Sequence, residues 1–286
     1  MRRVFFSVGF LVVAALALPA TVSRSAETIV SPVTTNVVVR VVGNHALALG
    51  DTVGGAEVTI RDAETGAVLA SGLQTGSAGD LRSIMQTPRE HIEQIYSMKG
   101  AAAFAATLHL TRPTLVEITG EGPLKFPQAR RRTSKTVLLY PGRHVTGDGI
   151  VLDLNGLLVQ IEAPPKDRPL GIGDTGTLHA RVNMLCDCIV EPFGNWDSRK
   201  MQLYGELRIG NRVVTKIDLY HQGPKGLFLG NFVIPRSLQG KEHVTLRVVA
   251  SDTEGINVGY DEHAYHLVPW EQSRDATGRE IPLIGK

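Results

Sequence analysis

Residues 55–62 read Gly-Ala-Glu-Val-Thr-Ile-Arg-Asp, and residues 63–70 read Ala-Glu-Thr-Gly-Ala-Val-Leu-Ala. Polar and apolar residues alternate in the first segment, which is typical of a strand with one buried face. Glu64, Thr65 and Gly66 then supply the turn residues, and a second apolar run follows them directly. The pair of segments predicts a β-hairpin.

Short strand-like runs continue from this hairpin in both directions. In the first block they lie at 36–42, 104–110, 115–119, 136–140 and 150–161. Asn155-Gly156 is expected to form a tight hairpin turn inside the last of them. After the proline-rich segment 163–169, further runs lie at 176–186, 202–209, 213–220, 227–234, 242–250 and 260–268. The spacing of these runs is typical of β-sandwiches.

We therefore predict an all-β protein with two tandem β-sandwich domains, at residues 27–163 and 170–268, followed by a polar tail at 269–286. The segment 163–169 is the predicted linker, because proline is stiff and lacks the amide hydrogen that a central strand needs. One short helix is expected in the first domain, from Pro88 to Lys99. Thr87 is its candidate N-cap, with proline at the first helical position.

The first 25 residues predict export. Arg2 and Arg3 precede an apolar run that ends before Pro19, and small residues follow, in the order of a bacterial-type secretory leader. Without Arg2, Arg3 and Arg24 the chain keeps 27 basic against 28 acidic residues, so its charge gives no reason to expect nucleic acid as a partner. We expect a periplasmic or secreted protein with no membrane span once the leader is removed.

Two resemblances to known families bear on the fold. Residues 55–62 and the Thr65-Gly66 turn resemble the opening of carboxypeptidase-regulatory-like, or transthyretin-like, β-sandwich domains, although the usual following turn is replaced by Thr75–Asp80. Residues 223–228 and 240–250 are similar to bacterial Ig-like modules. These resemblances imply a transthyretin-like sandwich followed by an Ig-like one, and neither brings a catalytic residue.

Cys186-Asp187-Cys188 is the sharpest chemical feature, since these are the only two cysteines. In a regular strand their Cβ atoms would be too far apart for a disulfide, so a bridge requires a bend or bulge at Asp187. Three interpretations stay open: a strained disulfide, which we favour for an exported protein; two buried or externally paired thiols; or a copper(I) site with Met184 as the thioether partner.

The segment Glu191–Asp197 is expected to be a loop that carries two aromatic residues, Phe193 and Trp196, close to the cysteine pair. Loops on rigid β-scaffolds often make contacts with partners, so both residues are candidate partner contacts. The alternative for Trp196 is packing over the end of a sandwich.

Recognisable catalytic motifs are missing: the sequence has no G-x-S-x-G, H-E-x-x-H or P-loop pattern. We therefore expect no enzyme and no cofactor, with copper as the one alternative. The expected function is an exported binding, scaffolding or accessory protein that contacts another exported protein or an envelope component through sheet edges and end loops. The alternative is a periplasmic redox or copper-handling accessory protein that uses Cys186 and Cys188.

Overall fold

A computed structural model describes residues 31–44, 46–88 and 94–269. The predicted leader and the tail beyond residue 269 lie outside these ranges. Within them, no helix has both the length and the apolar character needed to cross a membrane.

Seven strands build the first sandwich within the described ranges. They are β1 (Val33–Gly43), β2 (Ala56–Asp62), β3 (Val68–Gln74), β4 (Phe104–Leu110), β5 (Thr114–Gly122), β6 (Arg131–Leu139) and β7 (Val145–Leu154). They form one sheet in the order β4-β1-β7 and a second in the order β3-β2-β5-β6. Neighbouring strands are antiparallel, apart from the parallel pair β1 and β7.

The predicted hairpin is confirmed as β2 and β3. Val58 and Ile60 are fully buried between the two sheets, whereas Glu57 faces solvent, as the alternation requires. One oxygen of the Asp62 carboxylate accepts the backbone N–H groups of Glu64 and Thr65 at 2.8 and 2.9 Å. These bonds lower the pKa of Asp62 and hold the turn in place.

Eleven strands, several of them very short, make up the rest of the described fold. They are β8 (Leu157–Ala163), β9 (Leu170–Gly171), β10 (Thr175–Met184), β11 (Val190–Glu191), β12 (Trp196–Asp197), β13 (Met201–Ile209), β14 (Arg212–Asp218), β15 (Tyr220–His221), β16 (Leu227–Val233), β17 (His243–Asp252) and β18 (Val258–Val268). The second sandwich packs the sheet β15-β16-β10-β8 against the sheet β14-β13-β17-β18-β9, while β11 and β12 form a small parallel pair. The all-β, tandem-sandwich prediction is confirmed.

The Asn155-Gly156 turn is not a hairpin, which corrects the sequence-based expectation. It carries the chain from β7 in the first sandwich to β8, which pairs with β10 in the second. Leu157 and Leu158 then point into different cores, Leu157 into the second and Leu158 into the first. A strand that is buried on both faces belongs between two sandwiches, and this burial overrides the local turn preference.

The two sandwiches share a tight junction and belong to one compact unit. The backbone N–H of Gly156 donates to the side-chain oxygen of Asn257 at 3.0 Å, and the guanidinium of Arg131 donates to the carbonyl of Val258 at 3.3 Å. The carbonyl of Pro164, in the predicted linker, accepts the buried hydroxyl of Tyr265 of β18 at 2.8 Å. Burial raises the pKa of Tyr265, so its hydroxyl stays a donor.

The short helix lies earlier than predicted. A π-helical turn spans Arg82–Gln86, with the carboxylate of Asp80 accepting the backbone N–H of Ser83 at 2.7 Å. Residues 94–99 of the expected helix are not helical, and residues 89–93 lie outside the described ranges. The carboxylate of Asp148 accepts the backbone N–H groups of Ile95 and Tyr96, both at 2.7 Å, which are the donors that a helix would need. The remaining single turns are 3-10 helices at Asp51–Val53, Pro127–Ala129, Ser198–Lys200 and Arg236–Leu238.

Candidate functional site

The cysteine pair lies in a tight hairpin that follows β10. The structure joins the sulfur atoms of Cys186 and Cys188 in a disulfide, with their Cα atoms 5.2 Å apart. The backbone N–H of Met184 donates to the carbonyl of Cys188, and that of Asp187 donates back to the carbonyl of Met184, both at 2.9 Å. The strand therefore stops at Met184 and folds back on itself.

Asp187 supplies the bend that the sequence argument required. Its φ is 64°, in the left-handed region that only glycine, asparagine and aspartate adopt easily. Its carboxylate accepts the side-chain amide of Asn183 at 2.7 Å, which fixes the tip of the hairpin to the strand below it. This turn brings two cysteines that are two residues apart in sequence within reach of each other.

The hairpin connects the two sandwich cores. Met184 and Cys186 are buried in the second core, whereas Leu185 between them is fully buried in the first. Consecutive side chains at the end of a strand point to opposite sides, and here each side is a hydrophobic core. The sequence did not reveal this role of Leu185.

The copper hypothesis needs two thiolates and an accessible thioether. Both sulfur atoms are joined to each other in this structure, and the side chain of Met184 is 2% exposed. Among the described residues, no group of three or more His, Cys, Asp or Glu side chains is arranged to hold a metal ion. Of the three candidate ligands, Met184 and Cys186 are buried and Cys188 is half-buried.

The loop from Glu191 to Arg199 places one aromatic ring in solvent. Phe193 is 79% exposed, and its φ of 63° is left-handed, which is unfavourable for a bulky residue. The backbone N–H of Phe193 donates to the Asp197 carboxylate at 3.1 Å, and the guanidinium of Arg199 lies 3.6 Å from the centre of its ring. The ring is therefore exposed and also fixed in orientation.

Asp197 organises this loop. Its carboxylate accepts the backbone N–H of Arg199 at 3.1 Å and the side-chain Nε of Arg199 at 2.9 Å, in addition to the bond from Phe193. The bonds from the Arg199 side chain, together with the backbone bonds, hold the pKa of Asp197 well below its usual range. Asp197 is also the N-cap of the 3-10 turn Ser198–Lys200, and an aspartate at this position is a signal that the sequence contains.

Trp196 lies elsewhere. It is 9% exposed and packs in the second core, opposite Val190 in the β11–β12 pair. The structure thus separates the two predicted contact residues: Phe193 faces solvent, and Trp196 holds the base of the loop. Their spacing of three residues did not distinguish these roles, because a short irregular loop has no fixed period.

No protein-family model matches this chain, and no curated protein matches it. Several solved structures are similar to it. The fibronectin(III)-like modules of CbhA from Clostridium thermocellum match with 9% identity over 77% of this chain and 81% of theirs, at a TM-score of 0.28. A DUF3823 family protein from Bacteroides ovatus matches with 8% identity over 82% and 98%, at 0.30.

A chimeric titin Z1Z2 tandem matches with 10% identity over 84% of this chain and 92% of that one, at a TM-score of 0.24. At these TM-scores, all below 0.5, the likeness carries no argument about this chain. The assignment of tandem β-sandwiches rests on the sheets and cores described above.

Proposed function

We propose that this protein is an exported, non-catalytic binding protein that contacts another exported protein or an envelope component through the loop Glu191–Arg199. The observation that carries the proposal is the side chain of Phe193, which is held in solvent by Asp197 and Arg199. A large aromatic ring exposed to water at the tip of a fixed loop contributes nothing to the core. Such rings are typical anchors of protein interfaces.

The rigidity of the loop supports the same proposal. Binding costs free energy for every side chain that becomes ordered, about 0.5–1.5 kcal/mol for a flexible one. Phe193 is already ordered by the stack with Arg199, and the backbone around it by the Asp197 carboxylate. Little further free energy is therefore needed to order this loop when it binds a partner.

Site-specific crosslinking in cells tests the proposal. Photoreactive benzoylphenylalanine replaces Phe193 in the full chain, and a second variant carries it at Tyr140, an exposed aromatic residue of the first sandwich. We expect one defined adduct at position 193 that is absent at position 140. Untagged wild type should compete for the partner and reduce this adduct, whereas untagged Phe193→Ala should not. Equal adducts at the two positions, or none at position 193, would contradict the proposal.

Export is a separate part of the proposal, and it rests on the leader-like residues 1–25. N-terminal sequencing of the protein from a cell fraction outside the cytoplasm tests it. We expect the mature chain to begin at or near Ala26 and to carry no free thiols. An intact Met1 on protein recovered from the cytoplasm would refute it.

We also propose that the first sandwich is a carboxypeptidase-regulatory-like module. Its seven strands in sheets of three and four, with the Thr65-Gly66 turn between β2 and β3, support this assignment. It gives the first sandwich the role of a spacer that supports the second.

The redox or copper alternative is supported by the partial exposure of Cys188. A thiolate could attack this sulfur, or reduction could free both sulfur atoms for copper(I). Titrating the reduced protein with copper(I) in competition with a chromogenic chelator tests it. Uptake of one ion that is lost in Cys188→Ser would favour this alternative, and equal behaviour of both proteins would exclude it.

A further inference from the structure

A cleft of about 630 Å³ lies near the start of β10, at the opposite end of that strand from the disulfide hairpin. It is bordered by the end of β14, by the short edge strand β15 and by the middle of β16. Its volume falls in the range of sites that hold small organic ligands, which is about 300–1,000 Å³. None of its residues belongs to the loop Glu191–Arg199.

The cleft exists because the chain changes sheets at its edge. β14 ends at Asp218 in one sheet, and β15 begins at Tyr220 in the other. Gly230 of β16 passes directly beneath this crossing, where a Cβ atom would collide with the carbonyl oxygen of Asp218. The glycine lets the two backbones meet, and Ile217 and Leu229 form a small apolar floor next to it.

The walls carry polar groups of mixed type. Thr177 and Asn231 are neighbours across β10 and β16, and the hydroxyl of Thr177 donates to the side-chain oxygen of Asn231 at 3.1 Å. This bond turns the amide nitrogen of Asn231 into the available donor. Gln222 adds a second amide, and Tyr220, which is 64% exposed, adds a ring and a hydroxyl. Together they offer both donors and acceptors.

The charges of the cleft cancel. Lys216 and Asp218 alternate along β14 and both line the wall, one cation and one anion. A phosphate or sulfate would meet as much negative as positive charge here, and a purely apolar ligand would leave these polar walls without partners. The lining thus favours an uncharged ligand that is rich in hydroxyl groups and has one apolar face.

From this lining we infer that the cleft binds a neutral oligosaccharide, with a sugar ring stacked on Tyr220 and its hydroxyl groups bonded to Asn231 and Gln222. A pyranose presents C–H groups on its face and hydroxyl groups around its rim, which matches an exposed tyrosine flanked by amides. The inference concerns a second site and is independent of the loop proposed above.

Calorimetric titration of the full chain tests it. The probes are neutral tetrasaccharides of glucose, of mannose and of N-acetylglucosamine, with a sulfated tetrasaccharide as the charged comparison. We expect binding of at least one neutral probe, weakened about tenfold or more in Tyr220→Ala and in Asn231→Ala. Two controls, Tyr140→Ala and Phe193→Ala, should bind it like wild type.

Asn231 is exposed, so Asn231→Ala keeps the test valid if Tyr220→Ala disturbs the edge strand. Circular dichroism and thermal melting check that both variants are folded. The inference is overturned if no neutral probe binds, if the sulfated probe binds more tightly, or if binding persists in both variants. Loss of binding in Phe193→Ala would assign the sugar to the loop and would also overturn it.

Discussion

The hairpin Met184–Cys188 and the loop Glu191–Arg199 are neighbours in sequence and are built in the same way, yet they face opposite environments. Each has a non-glycine residue with left-handed φ, Asp187 at 64° and Phe193 at 63°. Each is also fixed by one aspartate carboxylate, that of Asp187 bonded to Asn183 and that of Asp197 bonded to Phe193. The hairpin directs Met184, Leu185 and Cys186 into two cores, whereas the loop directs the ring of Phe193 into water.

This difference indicates that a left-handed bend of the backbone does not by itself determine what a segment does. The same bend stabilises the fold where the neighbouring side chains are buried, and it presents a side chain to partners where that side chain is exposed to solvent. In the hairpin the left-handed φ falls on an aspartate, which tolerates it, and the bend allows Leu185 and Cys186 to be buried. In the loop the residue with the left-handed φ is itself a bulky side chain exposed to solvent, so the ring of Phe193 needs another explanation. Four predictions test this contrast.

The largest effect is expected from Leu185→Ala. The side chain is fully buried where the hairpin enters the first core, so its removal should lower the free energy of unfolding by about 2–5 kcal/mol. Leu138→Ala, at an exposed position of β6, is the matched control and should change it by less than about 0.5 kcal/mol. Urea denaturation measures both. Equal losses would mean that the hairpin does not connect the cores.

Reducing the disulfide should have a smaller effect. The closed loop is very short, so its contribution through the unfolded chain is about 1.5 kcal/mol. We expect a strong reductant to lower the free energy of unfolding by this amount in wild type and to leave the double variant Cys186→Ala, Cys188→Ala unchanged. Thiol titration of the unfolded, unreduced protein should find no free thiol. Two free thiols would show that the pair is not bridged.

The contrast also shows how far the sequence could predict the molecule. The alternation of polar and apolar residues in 55–62 was sufficient to predict β2. In a half-buried strand, successive side chains point in turn to the core and to solvent. The Cys-x-Cys spacing predicted a bend or bulge at Asp187 for the case in which the two cysteines are bridged, because a regular strand keeps their Cβ atoms too far apart. These predictions depend on contacts within a few residues of each other.

The rest depends on distant contacts. Asn155-Gly156 has the composition of a hairpin turn, but Leu157 and Leu158 needed two different cores, and only the assembled fold supplies them. The described part of the helix expected from Pro88, residues 94–99, is not helical. Asp148, more than fifty residues away, accepts the N–H groups of Ile95 and Tyr96 instead. Phe193 and Trp196 could not be separated either, since their exposure depends on where the loop meets the sandwich.

Acidification should affect the loop in a defined direction. The folded-state pKa of Asp197 lies below its unfolded value, so this carboxylate stabilises the protein above about pH 4, and the contribution is lost as the pH falls through the lowered pKa. Asp197→Asn should therefore be less stable than wild type at neutral pH, and the two should converge in acid. Asp167→Asn, in the exposed linker, controls for loss of a charge. Thermal melting between pH 7 and pH 2 gives both profiles, and parallel curves for wild type and Asp197→Asn would contradict the role of the carboxylate.

The smallest effect on stability is expected at Phe193, and this is why it is informative. In Phe193→Gly, relief of the left-handed φ gains about 1–2 kcal/mol. Loss of the stack with Arg199 costs about 0.5–1 kcal/mol, and the freedom of glycine in the unfolded chain about as much again. The free energy of unfolding should therefore stay within about 1 kcal/mol of wild type, while untagged Phe193→Gly should fail to compete for the adduct that the photoreactive residue at position 193 forms.

A large loss of stability in Phe193→Gly would mean that the ring supports the fold, and the comparison between hairpin and loop would fail. If the stability is unchanged, folding gives no reason for a phenylalanine at this φ. A residue that strains the backbone, faces water and adds nothing to the fold is explained by what it contacts outside the chain. The same measurement on Asp187→Gly sharpens the contrast, because that variant also relieves a left-handed φ but loses the bond to Asn183 in a partly buried setting.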